Sequence, residues 1–177
     1  MRRLALLAVA AACVGGVALY VVHAQPAWYE RLRYPLRYEQ IVRGHARTYR
    51  LDPALLAAVI YTESKFDANA RSGAGAIGLM QLLPDTARGI AVRTGGTKFV
   101  VSDLTNPEIN VRYGAWYLRH LLDRYHDERT ALAAYHAGQA NVDRWRAEGV
   151  GIQFPQTRYY VDKVERLKRI YAHAYGL

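Results

Sequence analysis

Two helix starts in the middle of the chain constrain the fold most strongly. Asp52-Pro53 and Asn106-Pro107 each place a capping side chain directly before a proline, which is favoured at the first position of a helix. Apolar residues recur at helical spacing after both starts. The one stretch with strand character, residues 98–102, has no evident partner strand. The sequence therefore predicts a mainly α-helical fold.

The same periodicity predicts the positions of the other helices. A glycine-rich loop follows the helix that begins after Asp52, and Thr157 is a candidate cap for a long final helix. That final helix carries an apolar stripe that includes Tyr160 and Val164. The predicted helices span residues 38–49, 53–64, 79–83, 84–92, 107–125, 130–135 and 141–145, with the last beginning near residue 157.

The N-terminal segment has no charged residue from position 4 to position 22. A helix of roughly 20 apolar residues can cross a bilayer, so we expect a membrane anchor here. A loose cleavage site at residues 22–24 leaves a cleaved secretory signal open as the alternative. The expected organisation is an anchor or signal at 1–24, a juxtamembrane linker at 25–37 and one folded domain at 38–177.

Composition narrows the possible cofactors and partners. The chain has one cysteine, Cys13, which excludes an internal disulfide and a cysteine-rich zinc site. The six histidines lack the spacing of a metal site, and no cofactor is expected. The formal charge of +9 suits an anionic polymer or an anionic membrane surface. No stretch has the pattern of a recognition helix, so nucleic acid is not an expected partner.

Glu63 is the residue whose position points most directly to chemistry. It lies four residues after Val59 and seven after Leu56, so it extends the apolar face of its helix. Burial disfavours the charged form of a carboxylate and raises its pKa, which suits a general acid. The alternative is a glutamate that turns out into solvent at the helix end.

Glu63-Ser64 is the first of four sequence blocks that follow one another along the chain. The others are G-L-M-Q at residues 78–81, A-Y-x-A-G at 134–138 and T-R-x-Y-V at 157–161. Together, in this order, they resemble the soluble lytic transglycosylases of bacterial cell walls. The resemblance covers residues 38–171, which is nearly all of the chain outside the N-terminal segment.

The resemblance implies a lysozyme-like helical domain with a substrate cleft. Members of this family cleave the β-1,4 bond between N-acetylmuramic acid and N-acetylglucosamine in peptidoglycan without adding water, and they leave a 1,6-anhydro end. Glu63 matches their single catalytic glutamate, which acts first as an acid and then as a base. The residues implied to bind substrate or to orient this glutamate are Ser72, Met80, Gln81, Tyr135, His136 and Tyr160.

Two positions depart from the family pattern. His136 stands where asparagine is usual, and Gln156 stands where glutamate is usual before T-R. A histidine can still donate a hydrogen bond, but its charge changes near pH ~6.5. The departures therefore bear on substrate contacts and on the pH optimum.

Two other functions fit a glutamate on this kind of helix. One is a goose-type, lysozyme-like muramidase, which adds water and releases a reducing end. The other is a non-catalytic peptidoglycan-binding module, against which the intact Glu63 motif argues. The four blocks favour the transglycosylase. Because peptidoglycan lies outside the cytoplasm, we expect a monomer whose folded domain faces the cell wall, held at the membrane or secreted.

Overall fold

The computed structural model describes residues 2–177 and confirms a mainly helical fold. A 3₁₀ turn at Val101–Thr105 lies between the fifth and sixth helices. Within the described residues, the helices are α1 (Arg2–Ala24), α2 (Ala27–Arg33), α3 (Glu39–Tyr49), α4 (Pro53–Ser64), α5 (Pro84–Thr94), α6 (Pro107–Tyr125), α7 (Glu128–Ala137), α8 (Gln139–Ala147) and α9 (Pro155–Tyr175).

The core is built around α4, which is buried along most of its length. Residues 54–60 are all buried, because this helix is apolar on every side instead of along one stripe. Helix α9 packs along α4 and buries Val161, Val164 and Leu167 completely. Helix α3 packs on α4, α7 packs on α9, and α6 contacts both α3 and α7. The polar end of α4 therefore emerges from an apolar centre.

Both predicted helix starts are confirmed. The Asp52 carboxylate accepts a hydrogen bond from the backbone N–H of Ala54 at 2.8 Å, at the first turn of α4. The Asn106 side-chain oxygen accepts one from the backbone N–H of Glu108 at 2.9 Å, at the first turn of α6. Each cap satisfies backbone donors that a helix start leaves without partners.

The predicted helix at residues 79–83 is wrong. Gly78 and Gln81 have φ angles of 80° and 47°, which turn the chain back on itself. Ile77 and Leu82 pair across this turn, with Leu82 N–H donating to Ile77 O at 3.1 Å. Apolar residues at helical spacing therefore occur here in a tight loop, which we call the 77–82 loop.

The stretch with strand character forms no strand, and one further local prediction is wrong. At residues 98–102, the chain instead enters the 3₁₀ turn at Val101–Thr105. Thr157 does not cap the last helix, because α9 begins earlier, at Pro155. The Thr157 side chain is buried against a neighbouring helix instead of facing the helix start.

The N-terminal segment predicted as an anchor or signal is helical in α1. Among the residues that the structure describes, no helix is both long enough and apolar enough to cross a membrane.

The segment predicted as a juxtamembrane linker contains α2, which packs on the end of α9. The buried Glu30 carboxylate lies 2.7 Å from His173 Nδ1. Arg31 Nε donates to the carbonyl oxygen of Ala174 at 2.6 Å. Trp28 lies on the outer side of α2 and is 60% exposed. Helix α2 is therefore held against the folded domain.

The 77–82 loop generates a stability prediction at Gly78. A Cβ atom there would lie 2.3 Å from Leu104 O, at a φ of +80°. We expect Gly78→Ala to lower the free energy of unfolding by about 3 kcal/mol or more. Gly75→Ala is the matched control, because Gly75 has a φ of +83° but open space around its Cα; it should cost only about 1–2 kcal/mol. Equal losses in denaturant unfolding of the two variants would contradict the prediction.

Candidate active site

Glu63 lies in the last turn of α4, where the buried helix reaches the edge of the core. Its side chain is half-buried. Tyr160, near the start of α9, donates a hydrogen bond from its hydroxyl to Glu63 Oε1 at 2.7 Å. The packing of α9 along α4 brings these residues together across 97 positions of sequence. The carboxyl group is thereby fixed through one oxygen, while the other can exchange a proton.

The surroundings of Glu63 raise its pKa to about 7. Burial is the main cause, because it disfavours the charged carboxylate. The hydrogen bond from Tyr160 and the positive charge of Lys163 act in the opposite direction and limit the rise in pKa. Lys163 follows Tyr160 by one turn of α9. A group with this pKa is present both as acid and as base near neutral pH.

A second tyrosine, Tyr135 of α7, lies on the other side of the site. Its hydroxyl donates to the backbone oxygen of Met80 at 2.8 Å, which ties α7 to the 77–82 loop. Burial raises the pKa values of Tyr135 and Tyr160 well above 10, and the nearby Glu63 charge raises them further. Both phenols therefore remain protonated hydrogen-bond donors at any working pH.

His136 lies against Tyr160 instead of standing alone in a cleft. The two rings are 4.5 Å apart between centroids and inclined by 33°. His136 Nδ1 lies 3.0 Å from the Thr157 hydroxyl, and Thr157 is buried at the start of α9. Partial burial lowers the pKa of His136, which favours the neutral ring. His136 and Thr157 together hold one side of the tyrosine that contacts Glu63.

The two polar residues predicted in the glycine-rich region are engaged within their own loops. The Gln81 side-chain amide donates to the carbonyl oxygens of Gly78 at 2.9 Å and Ala70 at 3.2 Å. The Ser72 hydroxyl accepts a hydrogen bond from the backbone N–H of Ala76 at 3.0 Å. Ser72 is exposed, so its hydroxyl proton can still reach a ligand.

Met80 does not line an open cleft. Its side chain is fully buried and packs against Gly114 of α6, where a Cβ atom would lie 2.2 Å from the Met80 sulfur. Direct contact between this side chain and a substrate is therefore excluded in this structure. Met80 supports the loop from below, and its backbone oxygen accepts the hydrogen bond from Tyr135.

Asn110 is the residue of the site that sequence reasoning missed. It is fully buried in α6 and holds the 77–82 loop with both ends of its amide. Its oxygen accepts from Met80 N–H at 2.8 Å, and its nitrogen donates to Ile77 O at 2.9 Å and to Leu104 O at 2.8 Å. The sequence does contain a signal for this role. Asn110 directly precedes Val111 in α6, on a face of the helix that has to be buried.

Ser64 connects the loop to α4. Its hydroxyl donates to Leu79 O at 2.8 Å, so the residue beside Glu63 fixes the position of the 77–82 loop. The loop is thus bonded to three helices, through Ser64 of α4, Asn110 of α6 and Tyr135 of α7. One edge of the site is rigid for this reason.

The three aspartates closest to Glu63 in the sequence have other partners. Asp52 caps α4, Asp67 accepts from the backbone N–H of Asn69 at 2.9 Å, and Asp85 pairs with Arg88 at 2.5 Å. Over residues 2–177, no three potential metal-ligating side chains come together. Among the described residues, no hydrogen bond or ion pair joins any of these three aspartates to Glu63.

Comparison with known proteins identifies relatives of this site and fold. Residues 40–151 match the family described as the Transglycosylase SLT domain. The chain is 40% identical over 113 residues to the transglycosylase of Enterobacteria phage PRD1, covering 64% of this chain and 39% of that protein. It is 30% identical over 162 residues to the soluble lytic murein transglycosylase of Salmonella typhimurium, covering 81% of this chain and 24% of that protein. The chain thus spans well under half the length of these relatives.

A solved structure shows the same fold. It is the X-ray structure of an inactive mutant of the lytic transglycosylase Slt from Pseudomonas aeruginosa, in which a glutamate is replaced by glutamine. The TM-score is 0.74 and the sequence identity 31%, over 86% of this chain and 26% of that one.

The contact between Tyr160 and Glu63 generates a prediction about proton affinity. Because the hydroxyl favours the charged carboxylate, Tyr160→Phe should raise the pKa of Glu63 further above 7, by up to about one pH unit. A carbon-13 NMR titration of labelled glutamate side chains measures this value. Tyr159→Phe is the control, since Tyr159 is 69% exposed on the same turn. An unchanged or lower pKa in Tyr160→Phe would show that the bond does not stabilise the charged form.

Proposed function

The chain belongs to the Transglycosylase SLT domain family, and from this premise we propose that it is a peptidoglycan lytic transglycosylase. Its substrate would be the glycan strand of peptidoglycan. The bond cleaved would be the β-1,4 bond between N-acetylmuramic acid and N-acetylglucosamine, without water and with formation of a 1,6-anhydro end.

One observation carries this proposal: Glu63 has a pKa of about 7 and a fixed orientation. An acid for a glycosidic oxygen has to hold a proton near neutral pH, and a base has to accept one under the same conditions. An ordinary exposed glutamate, with a pKa of about 4.3, would be almost entirely charged. Burial at the end of α4 supports both roles in one residue.

The proposed reaction uses one carboxyl group twice. Protonated Glu63 would donate it to the glycosidic oxygen as the bond from C1 of N-acetylmuramic acid breaks, and N-acetylglucosamine would leave with a free hydroxyl. The resulting Glu63 carboxylate would then take the proton of the C6 hydroxyl while the C6 oxygen forms a bond to C1. The carboxyl group ends protonated, and no water enters the products.

Tyr160 is a positioning residue in this scheme. Its bond to Oε1 leaves Oε2 as the oxygen that exchanges the proton. It also stabilises the carboxylate formed after the first step, because hydrogen bonds to a charged acceptor are stronger. We propose that His136 contributes through its ring packing on Tyr160 and offers its second nitrogen to the substrate.

The predicted substrate contacts remain part of the proposal. Ser72 would bind substrate through its exposed hydroxyl, and Gln81 through the amide oxygen that its two donated hydrogen bonds leave available. Tyr135 would orient the 77–82 loop next to Glu63. No cofactor has a role in the scheme, because every step is a proton transfer or a bond to oxygen or carbon of the sugar.

We further propose, from the N-terminal sequence alone, that residues 1–24 direct the domain to the outer side of the membrane, as an uncleaved anchor or as a cleaved signal. Fractionation of cells that produce the full chain would distinguish the two. An anchored protein stays in carbonate-washed membranes at full mass. A cleaved protein is released with a new N-terminus after residue 24. A full-length protein in the soluble cytoplasmic fraction would contradict both.

The products of digestion test the proposed reaction. Purified sacculi treated with the full chain should yield muropeptides with 1,6-anhydro ends, each one water lighter by mass spectrometry than a hydrolysis product. Reducing ends in their place would identify a muramidase. Binding without any cleavage would identify a non-catalytic module.

Glu63→Gln is the matched variant for this experiment. It should abolish anhydro products while the fold persists. Because burial raises the folded-state pKa of Glu63 to about 7, the wild-type protein loses stability as pH rises from about 4.5 through 7. The glutamine variant escapes this loss, so at pH 8 its free energy of unfolding should exceed that of the wild type by about 1–3 kcal/mol. Glu148→Gln, at an exposed position, should change neither property.

A further inference from the structure

A small groove of about 190 Å³ lies between α5 and α6, outside the site around Glu63. Side chains of both helices line it, and Gln139 at the start of α8 closes one end. It is smaller than the pockets of about 300–1,000 Å³ that hold drug-sized ligands, and it has room for about one sugar unit. The mechanism derived above uses none of its residues.

The wall from α6 is aromatic and ordered. Trp116 is half-buried, and its ring lies parallel to that of His120, with centroids 5.4 Å apart and planes inclined by 5°. One face of the indole is therefore covered, and its orientation is fixed. A flat, apolar surface in a groove otherwise lined by polar groups suits a ligand that is itself apolar on one face and polar at its edges.

The wall from α5 contains a glycine in mid-helix. Gly89 lines the groove, although glycine costs a helix interior about 1 kcal/mol relative to alanine. Packing does not demand it, since a Cβ atom would meet only the flexible end of Arg93, at 3.2 Å. What the missing side chain provides is open space. Arg93 donates to Gly89 O at 3.2 Å, which places a cationic group at the same wall.

The groove is linked to the site around Glu63 through a pair of packed tyrosines. Tyr117 lines the groove, and its ring packs against that of Tyr135 with centroids 5.5 Å apart. Tyr135 in turn bonds the 77–82 loop beside Glu63. Tyr117 and Tyr135 thus connect the groove to the loop beside Glu63.

We propose that this groove binds a sugar unit of the glycan strand at a distance from the cleaved bond. The apolar face of a hexosamine ring would stack on Trp116, and its hydroxyl and N-acetyl groups would bond Gln139 and Arg93. Gly89 leaves the room for the ring. The inference rests on the proposed function for the identity of the polymer, but occupancy of the groove can be measured without catalysis.

Binding of chitohexaose to full-length Glu63→Gln tests the groove directly, because this oligomer carries no peptide and the variant cannot consume it. In nitrogen-15 NMR spectra, the indole N–H signal of Trp116 should shift on titration, while that of the exposed Trp28 stays in place. Adding Trp116→Ala should weaken affinity by about three- to tenfold in calorimetry. Trp28→Ala is the matched control and should not change it.

Gly89→Leu separates binding from folding. Leucine fills the groove and displaces only the flexible end of Arg93, so chitohexaose affinity should fall to a similar extent. The same change favours the helix and should raise the melting temperature by about 2–4 °C. A Trp116 signal that does not move at saturation, or full affinity in Gly89→Leu, would overturn the proposal. Failure of the proposed function is a different result: the wild type would then give no anhydro ends on sacculi, whether or not Trp116 senses the oligomer.

Discussion

The hydrogen bond between Tyr160 and Glu63 is the interaction on which the rest of the site depends. It joins the end of the most buried helix, α4, to the beginning of α9. The packing of these two helices sets the distance between the Tyr160 hydroxyl and the Glu63 carboxyl group. His136 packs on the Tyr160 ring and is itself held by Thr157. A proton-transferring group has to be within hydrogen-bond reach of its target in a defined direction. This contact supplies the direction, and burial supplies the proton affinity.

Opposing effects set the pKa of Glu63, and the resulting value lowers the stability of the fold at neutral pH and above. Burial raises the value to about 7, while Tyr160 and Lys163 keep it from rising further. Without the effects of Tyr160 and Lys163, the pKa would be higher, so Glu63 would remain protonated and could not act as a base. With less burial, it would be charged and could not act as an acid. At neutral pH and above, the folded protein holds a carboxylate in surroundings that disfavour its charge, and stability is lower as a result.

The sequence predicted those features that depend on neighbours along the chain. The caps at Asp52 and Asn106 are local chemistry, and the helices that follow them begin where expected. The helix predicted at residues 79–83 failed because positive φ angles at Gly78 and Gln81, held by distant partners, override the apolar spacing. Asn110 was missed for the same reason, since its importance lies in bonds to residues 30 and 33 positions away.

The side chains in and around the 77–82 loop differ in whether they hold the loop or remain available to a substrate. Ser64 and Asn110 hydrogen-bond to the loop, Gln81 donates both of its hydrogen bonds within the chain, and Met80 is buried beneath the loop. These side chains hold the backbone, and Gln81 alone among them keeps an amide oxygen that its two donated hydrogen bonds do not use. In the proposed reaction, the remaining contacts to a sugar would come from Ser72, from backbone groups and from aromatic side chains around the site. Two pairs of packed rings are available for such contacts: His136 packs on Tyr160, which bonds Glu63, and Tyr135 packs on Tyr117, which lines the groove between α5 and α6.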